Sequence, residues 1–282
     1  MQQFCHTCLV IAATLALASC SAINIVYDNA PTFVASEVDD AFDLNDAQNV
    51  QVDAALQSFF DWHRQQELAR YQQMLNDAAL AIADGISAAE YLAIYDAVRS
   101  AGKRSLLRMI DELHGLTATL TPAQIDRYDQ YFRERSEKYQ DYLEMSSQQR
   151  QIFTEEWIID KMEEWFGELE DLQYEKIVAR LRQLPEVRVA WIAFREARHQ
   201  AFIDALRKAP GTGLSKQQLQ HILLDTDSEH ARAYEPQRLA YRQAFAQMLA
   251  DVSGWLGKAQ IRHAVERMRE YEKIVIELQD ND

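Results

Sequence analysis

Apolar positions recur at spacings of three and four along nearly the whole chain, the signature of amphipathic helices. Over Asn45–Trp62 they fall at Ala47, Val50, Ala54, Ala55, Phe59 and Trp62, and the stripe continues through Leu68, Tyr71, Leu75, Ala78 and Ile82. Over Pro122–Leu143 the stripe is aromatic, carried by Ile125, Tyr128, Tyr131, Phe132, Tyr139 and Tyr142. The same periodicity predicts helices over Ala88–Leu113, Gln148–Phe166, Leu172–Leu184, Val187–Leu206, Lys216–Leu224, Ala231–Leu256 and Lys258–Leu278. No run of alternating β-branched residues is bounded by the Asn-Gly or Asp-Gly turns of a hairpin. The expected fold is all-α, a multi-helix bundle of repeated antiparallel helical hairpins, with room for an elongated shape.

A short motif punctuates these stripes: an aliphatic residue, a capping residue, two variable positions, then Gln or Glu. It reads Leu44-Asn45-Asp46-Ala47-Gln48, Ile86-Ser87-Ala88-Ala89-Glu90, Leu120-Thr121-Pro122-Ala123-Gln124 and Leu214-Ser215-Lys216-Gln217-Gln218. Leu169-Glu170-Asp171-Leu172-Gln173 is a poorer copy, because Glu caps weakly. The physical reading is a capping box. The Asn, Ser or Thr oxygen takes the amide proton of the third helical residue, whose own side chain reaches back to the cap. Pro122 suits the first helical position, where an amide proton would have no partner. Successive copies lie 42, 34, 49 and 45 residues apart, a helical-hairpin period without the regularity of a strict solenoid.

Breaks are few. Pro185 and the stretch Ala209–Gly213 (APGTG) are the best stops, and the second reads as an interhelical turn more readily than as a linker. This divides the chain into residues 1–19, a leader; 20–43, an N-terminal tether or short helix; 44–208, the main helical domain; and 214–282, a C-terminal helical unit packed on it. The last helix carries Ile261, Ala264, Met268, Tyr271, Val275 and Leu278 in a heptad seam. That seam suits packing within the chain's own bundle, and a second copy of the chain is the other partner it could take.

The leader is read from Leu9–Ser19 (LVIAATLALAS), an apolar run of signal-peptide length and too short to span a bilayer. Its end, Leu17-Ala18-Ser19-Cys20, resembles the bacterial lipobox. That resemblance implies acylation of Cys20 after removal of the preceding peptide, an anchor whose acyl chains each contribute about 0.8 kcal/mol per buried methylene. Met1–Cys8 departs from the usual pattern in having no Lys or Arg. All three cysteines lie at or before position 20, so the processed chain keeps no free thiol, as suits an oxidising compartment. By the known sorting rule, Ser21 in place of Asp implies the outer membrane, with the chain facing the periplasm.

Composition narrows the partners. A formal charge of −15 argues against nucleic acid and against anionic membrane faces. Catalytic motifs are missing: no G-x-S-x-G elbow, no P-loop, no complete dinucleotide fingerprint and no H-E-x-x-H. Glu196-Ala197-Arg198-His199 has the spacing of a di-iron helix but lacks the second Glu-x-x-His that such a bundle needs. Asp225–His230 spaces carboxylates like a calcium loop, yet His230 replaces the turn glycine and Pro236 the bidentate Glu. A helix cap at Asp227 or Ser228 accounts for it better. No cofactor and no metal are expected. The aromatic clusters around Phe59, Trp62 and His63 and around Trp165 read chiefly as core, with a binding surface for a lipid or a periplasmic protein as the functional alternative.

The lipobox, Asn24–Ala30 (NIVYDNA), Asp39–Gln48 (DDAFDLNDAQ), Asp61–Tyr71 (DWHRQQELARY), Leu120–Gln124 and Trp165–Gln173 (WFGELEDLQ) together resemble a family of uncharacterised proteobacterial outer-membrane lipoproteins, a domain of unknown function. Ala30-Pro31-Thr32-Phe33 departs from that pattern, where a longer aromatic-rich helix start is expected. The Leu-Thr-x-x-Gln motif is also similar to that of small periplasmic chaperones of the Spy type. The resemblance implies an envelope lipoprotein without established catalytic residues. The functional expectation is a non-enzymatic binding or assembly module. The alternative is a periplasmic helical hydrolase or metal-dependent enzyme using groups such as Glu196 and His199.

Overall fold

Capping chemistry sets where the helices begin. In the computed structural model, which describes residues 23–280, the order is α1 (residues 23–28), α2 (Ala30–Phe42), α3 (Asp46–Gln66), α4 (Leu68–Ala83) and α5 (Ala88–Leu113), then a 3-10 turn at His114–Ala118. It continues through α6 (Pro122–Glu144), α7 (Ser147–Phe166), α8 (Asp171–Leu181), α9 (Arg188–Lys208), α10 (Lys216–Leu224), α11 (Glu229–Ser253) and α12 (Lys258–Asp280). No strand occurs among the described residues, and the protein is all-α. Full capping boxes open α3 at Asn45, α5 at Ser87, α6 at Thr121 and α10 at Ser215. Ser146 with Gln149 adds one that the sequence reading passed over.

Differences from the expected boundaries have local causes. α2 fills most of the segment read as a tether or short helix, with Pro31 in its first turn. α8 stops at Leu181 because Gln183 and Leu184 turn tightly back onto Arg180 and Leu181 ahead of Pro185. The stripe expected to run unbroken from Asn45 to Ile82 bends at Glu67, where the chain leaves ideal helical geometry for one residue (φ −99°, ψ −33°). The ladder survives on either side: the Glu67 amide donates to His63 and its carbonyl accepts from Tyr71, both at 2.9 Å.

The apolar stripes close into three clusters. The largest joins Val52 and Leu56 of α3, Ile110 of α5, Ile125 of α6 and Ile203 and Leu206 of α9. Leu214 and Leu219, on the far side of the APGTG turn, belong to the same cluster. A second joins α7, α8 and α11 through Ile158, Met162, Ile177 and Met248. The third seats the end of α12 on the start of α4 through Leu68, Ile274 and Leu278, so part of the heptad seam packs inside the chain. Full burial of such a side chain contributes about 1.5–3 kcal/mol.

Candidate functional site

The stripe of α11 that faces inward changes character along its length: Tyr234, Arg238, Tyr241, Phe245, Leu249, Ser253. Three adjoining cavities lie along it. The apolar one, about 410 Å³, sits where α4, α5, α7, α11 and α12 meet. Trp157, Met162 and Trp165 come from α7, Ile94 from α5, Phe245 and Leu249 from α11, and Met268 from α12. Its only charged lining residue is Lys161, held by Glu164 at 2.6 Å. Trp157 stands 58% exposed at the mouth. This is the size and character of a cleft for an apolar guest. Burial pushes the hydroxyls of Tyr91, on its wall, and Tyr241, in the next cavity, up to about 12.

The middle cavity, about 470 Å³, shares Trp157 and Ile158 with the apolar cleft. It shares Trp191 and Tyr234 with the third, about 420 Å³, between α5, α9 and the start of α11. There the lining turns cationic, with Arg99, Lys103, Arg198 and Arg238.

The residues singled out by sequence divide. Phe59, Trp62 and His63 cluster, with ring centroids 5.8 Å apart for both Phe59–Trp62 and Phe59–His63; Phe59 is buried, while Trp62 and His63 are half-buried. His63 lies between two hydroxyls, Tyr27 at 2.8 Å from Nδ1 and Tyr71 at 3.2 Å from Nε2. A neutral ring satisfies both, donating through one nitrogen and accepting through the other. Burial pushes its pKa down, outweighing the pull of Glu67. Trp165 belongs instead to the apolar cleft, beside Tyr271 at 5.9 Å and under the guanidinium of Arg267. Cys20 lies outside the described residues.

Glu196 and His199 take different hydrogen-bond partners, although Glu196 still acts on the imidazole electrostatically. His199 is buried, stacked on Phe132 at 3.6 Å, with Nε2 2.9 Å from Asp129, while Glu196 accepts from Arg195. Burial pushes the His199 pKa down despite Asp129. Burial raises the Asp129 carboxyl, but hydrogen bonds from His199 and Arg133 outweigh it and hold the group below its usual range. At Asp225–His230, Ser228 caps α11 by accepting from the Ala231 amide, and the Asp225 carboxylate accepts from the Ser228 amide and hydroxyl. Among the described residues no group of three or more His, Cys, Asp or Glu is arranged to hold a metal ion. No described helix is long and apolar enough to cross a membrane.

The model of a family of unknown function, DUF6279, matches residues 40–235, and the chain belongs to that family. No curated protein and no solved structure gives a significant match.

Proposed function

We propose that the protein is an outer-membrane lipoprotein, anchored through acylated Cys20 and facing the periplasm, that binds a partner or ligand rather than transforming it. The observation that carries this reading is the apolar cleft of α4, α5, α7, α11 and α12, whose lining offers one paired lysine and otherwise no charged side chain. A cleft of that chemistry gains by removing apolar surface of its guest from water, at about 25 cal/mol per Å². It has few polar groups with which to drive a reaction. The lipobox-like Leu17–Cys20 supports the anchor, and a net charge of −15, which disfavours attachment to an anionic membrane face by charge, is consistent with an acyl anchor as the means of attachment.

Two measurements test the parts separately. Palmitate labelling in cells is expected for the wild type and lost in Cys20→Ala, and continued labelling overturns the anchor. The chain produced from residue 21 onward is expected to bind the apolar fluorophore N-phenyl-1-naphthylamine saturably, with binding weakened at least tenfold by Trp157→Glu at the mouth. Absence of saturable binding by a chain with intact helical circular dichroism overturns the cleft.

A further inference from the structure

The third cavity goes beyond this reading, because its chemistry is opposite to that of the apolar cleft. In a chain of charge −15, four cations line it against two carboxylates, Asp225 and Glu235. Both carboxylates are already engaged. Asp225 accepts from the amide and hydroxyl of Ser228, and Glu235 grips Arg238 through both oxygens at 2.5 and 2.7 Å. Arg99, Lys103 and Arg198 have no carboxylate within ion-pair distance among the described residues, although Asp225 acts on Arg198 and Glu235 on Arg99 at longer range. Arg99 and Lys103 are one helical turn apart on α5, so their side chains are neighbours. Like charges so placed repel, unless an anion lies between them.

Arg198 reaches the cavity from the other side, on α9. Its Nη1 donates to the Leu223 carbonyl at 3.2 Å. Burial pushes its pKa below the ordinary guanidinium value and outweighs the pull of Asp225, so the cation has lost water with no carboxylate close enough to compensate. Phe194 lies beneath the guanidinium at 5.2 Å, and Trp191 and Tyr234 complete an aromatic wall continuous with the middle cavity. A guanidinium fork with two further cations suits a group with several anionic oxygens better than a carboxylate. The aromatic wall suits whatever that group is attached to.

We propose that the cavity between α5, α9 and α11 is a binding site for a phosphate group, held by Arg99, Lys103 and Arg198, with the rest of its molecule lying along Trp191 and Tyr234. A soluble phosphate ester and a phospholipid headgroup share this chemistry, and the test separates them. Full-length protein in dodecyl maltoside micelles is titrated calorimetrically with inorganic phosphate and, separately, with phosphatidylglycerol or phosphatidylcholine in mixed micelles. Acetate and chloride at equal ionic strength are the controls.

Saturable phosphate binding that acetate does not reproduce supports the site with a soluble ligand. Saturation by phosphatidylglycerol in preference to phosphatidylcholine supports it with a headgroup. In either case the double variant Arg99→Gln, Lys103→Gln, on an exposed helix face, is expected to weaken binding at least tenfold. Arg262→Gln, on α12, leaves it unchanged. Binding insensitive to the double variant, equal binding of acetate, or no binding of either ligand by a folded chain overturns the proposal. The apolar-probe test above does not involve these residues, so either reading can fail alone.

Discussion

Gln173 and Gln260 exchange amide hydrogen bonds at 2.9 Å in both directions, although one opens α8 and the other α12. Gln48 and Gln124 do the same at the starts of α3 and α6, at 3.1 and 2.7 Å. In both pairs each side-chain oxygen also caps the amide at the head of its own helix. Each amide nitrogen donates to the carbonyl two residues ahead of the partner's cap: Thr119 and Asp43 in one pair, Trp255 and Glu168 in the other. The motif is therefore more than a helix start. It clasps two helix beginnings together, and the clasp occurs twice among the described residues.

This separates Gln from Glu at positions where capping alone would accept either. Gln124→Glu keeps the acceptor for Thr121 but loses the donor to Asp43 and Gln48 and buries a charge, so a loss of about 2–4 kcal/mol is expected. At Ser87 the cap partner is already an exposed Glu90, without a partner on another helix among the described residues, and Glu90→Gln is expected to leave stability nearly unchanged. Urea unfolding followed by circular dichroism compares them, and equal effects would mean that the clasp carries no stability.

The glycines of the Ala209–Gly213 turn give a second contrast. Both Gly211 (φ +71°) and Gly213 (φ +69°) are left-handed, a conformation that costs an L-residue about 1–2 kcal/mol. A Cβ at Gly211 would meet nothing within 4 Å, whereas one at Gly213 would come within 2.6 Å of the Ala118 backbone nitrogen. Gly211→Ala is expected to cost about 1 kcal/mol and Gly213→Ala at least about 3, since the 3-10 turn must also move. Thermal unfolding midpoints that fall equally would contradict the close approach.

Acid should find the buried histidines first. Burial depresses the pKa of both His63 and His199, so the fold favours their neutral forms. Their contribution is fully present above the unfolded value, about 6.5, and is lost as pH falls through the lower folded values. Glu67, held low by its hydrogen bond from Arg104, and Asp129 add their own losses below the ordinary carboxylate range. The unfolding midpoint is expected to be level from pH 7 to 9 and to fall from about 6.5 downward. His63→Gln and His199→Gln should be less stable throughout but fall less steeply between about pH 6.5 and 5. Slopes parallel to the wild type would show that other groups govern the decline.

Most of the fold is legible locally, because a cap, a proline and a stripe of apolar residues act within a few positions of one another. Ala88 and Leu113 bound α5 as the pattern predicts, and Lys216 and Leu224 bound α10. What escapes is the pairing of distant faces. Nothing near His63 announces Tyr27, 36 residues away, and nothing near Arg198 marks it as different from a solvated helix arginine until α5 brings Arg99 and Lys103 to the same cavity. The aromatic cluster at Trp165 is visible, but which cleft it lines depends on where α12 returns.

Glu67 marks the same boundary between local and distant causes. A glutamate on a long helix reads as solvated, yet its side chain is 1% exposed and accepts from Arg104 through both oxygens at 2.8 and 2.7 Å, beneath the bend between α3 and α4. The two partners are not equivalent, because Arg104 is 35% exposed. Removing the carboxylate frees an arginine that can turn to water. Removing the arginine strands a buried carboxylate, with Arg70 at 3.7 Å as its remaining cation among the described residues. Arg104→Leu is therefore expected to cost about 2–3 kcal/mol, discounted from the value for a fully buried pair. Glu67→Leu should cost less, and the double variant should recover part of the Arg104→Leu loss. A double-mutant cycle by urea unfolding measures this ordering. If Glu67→Leu proved the more damaging, the buried carboxylate would be serving the packing of the bend rather than its own pairing.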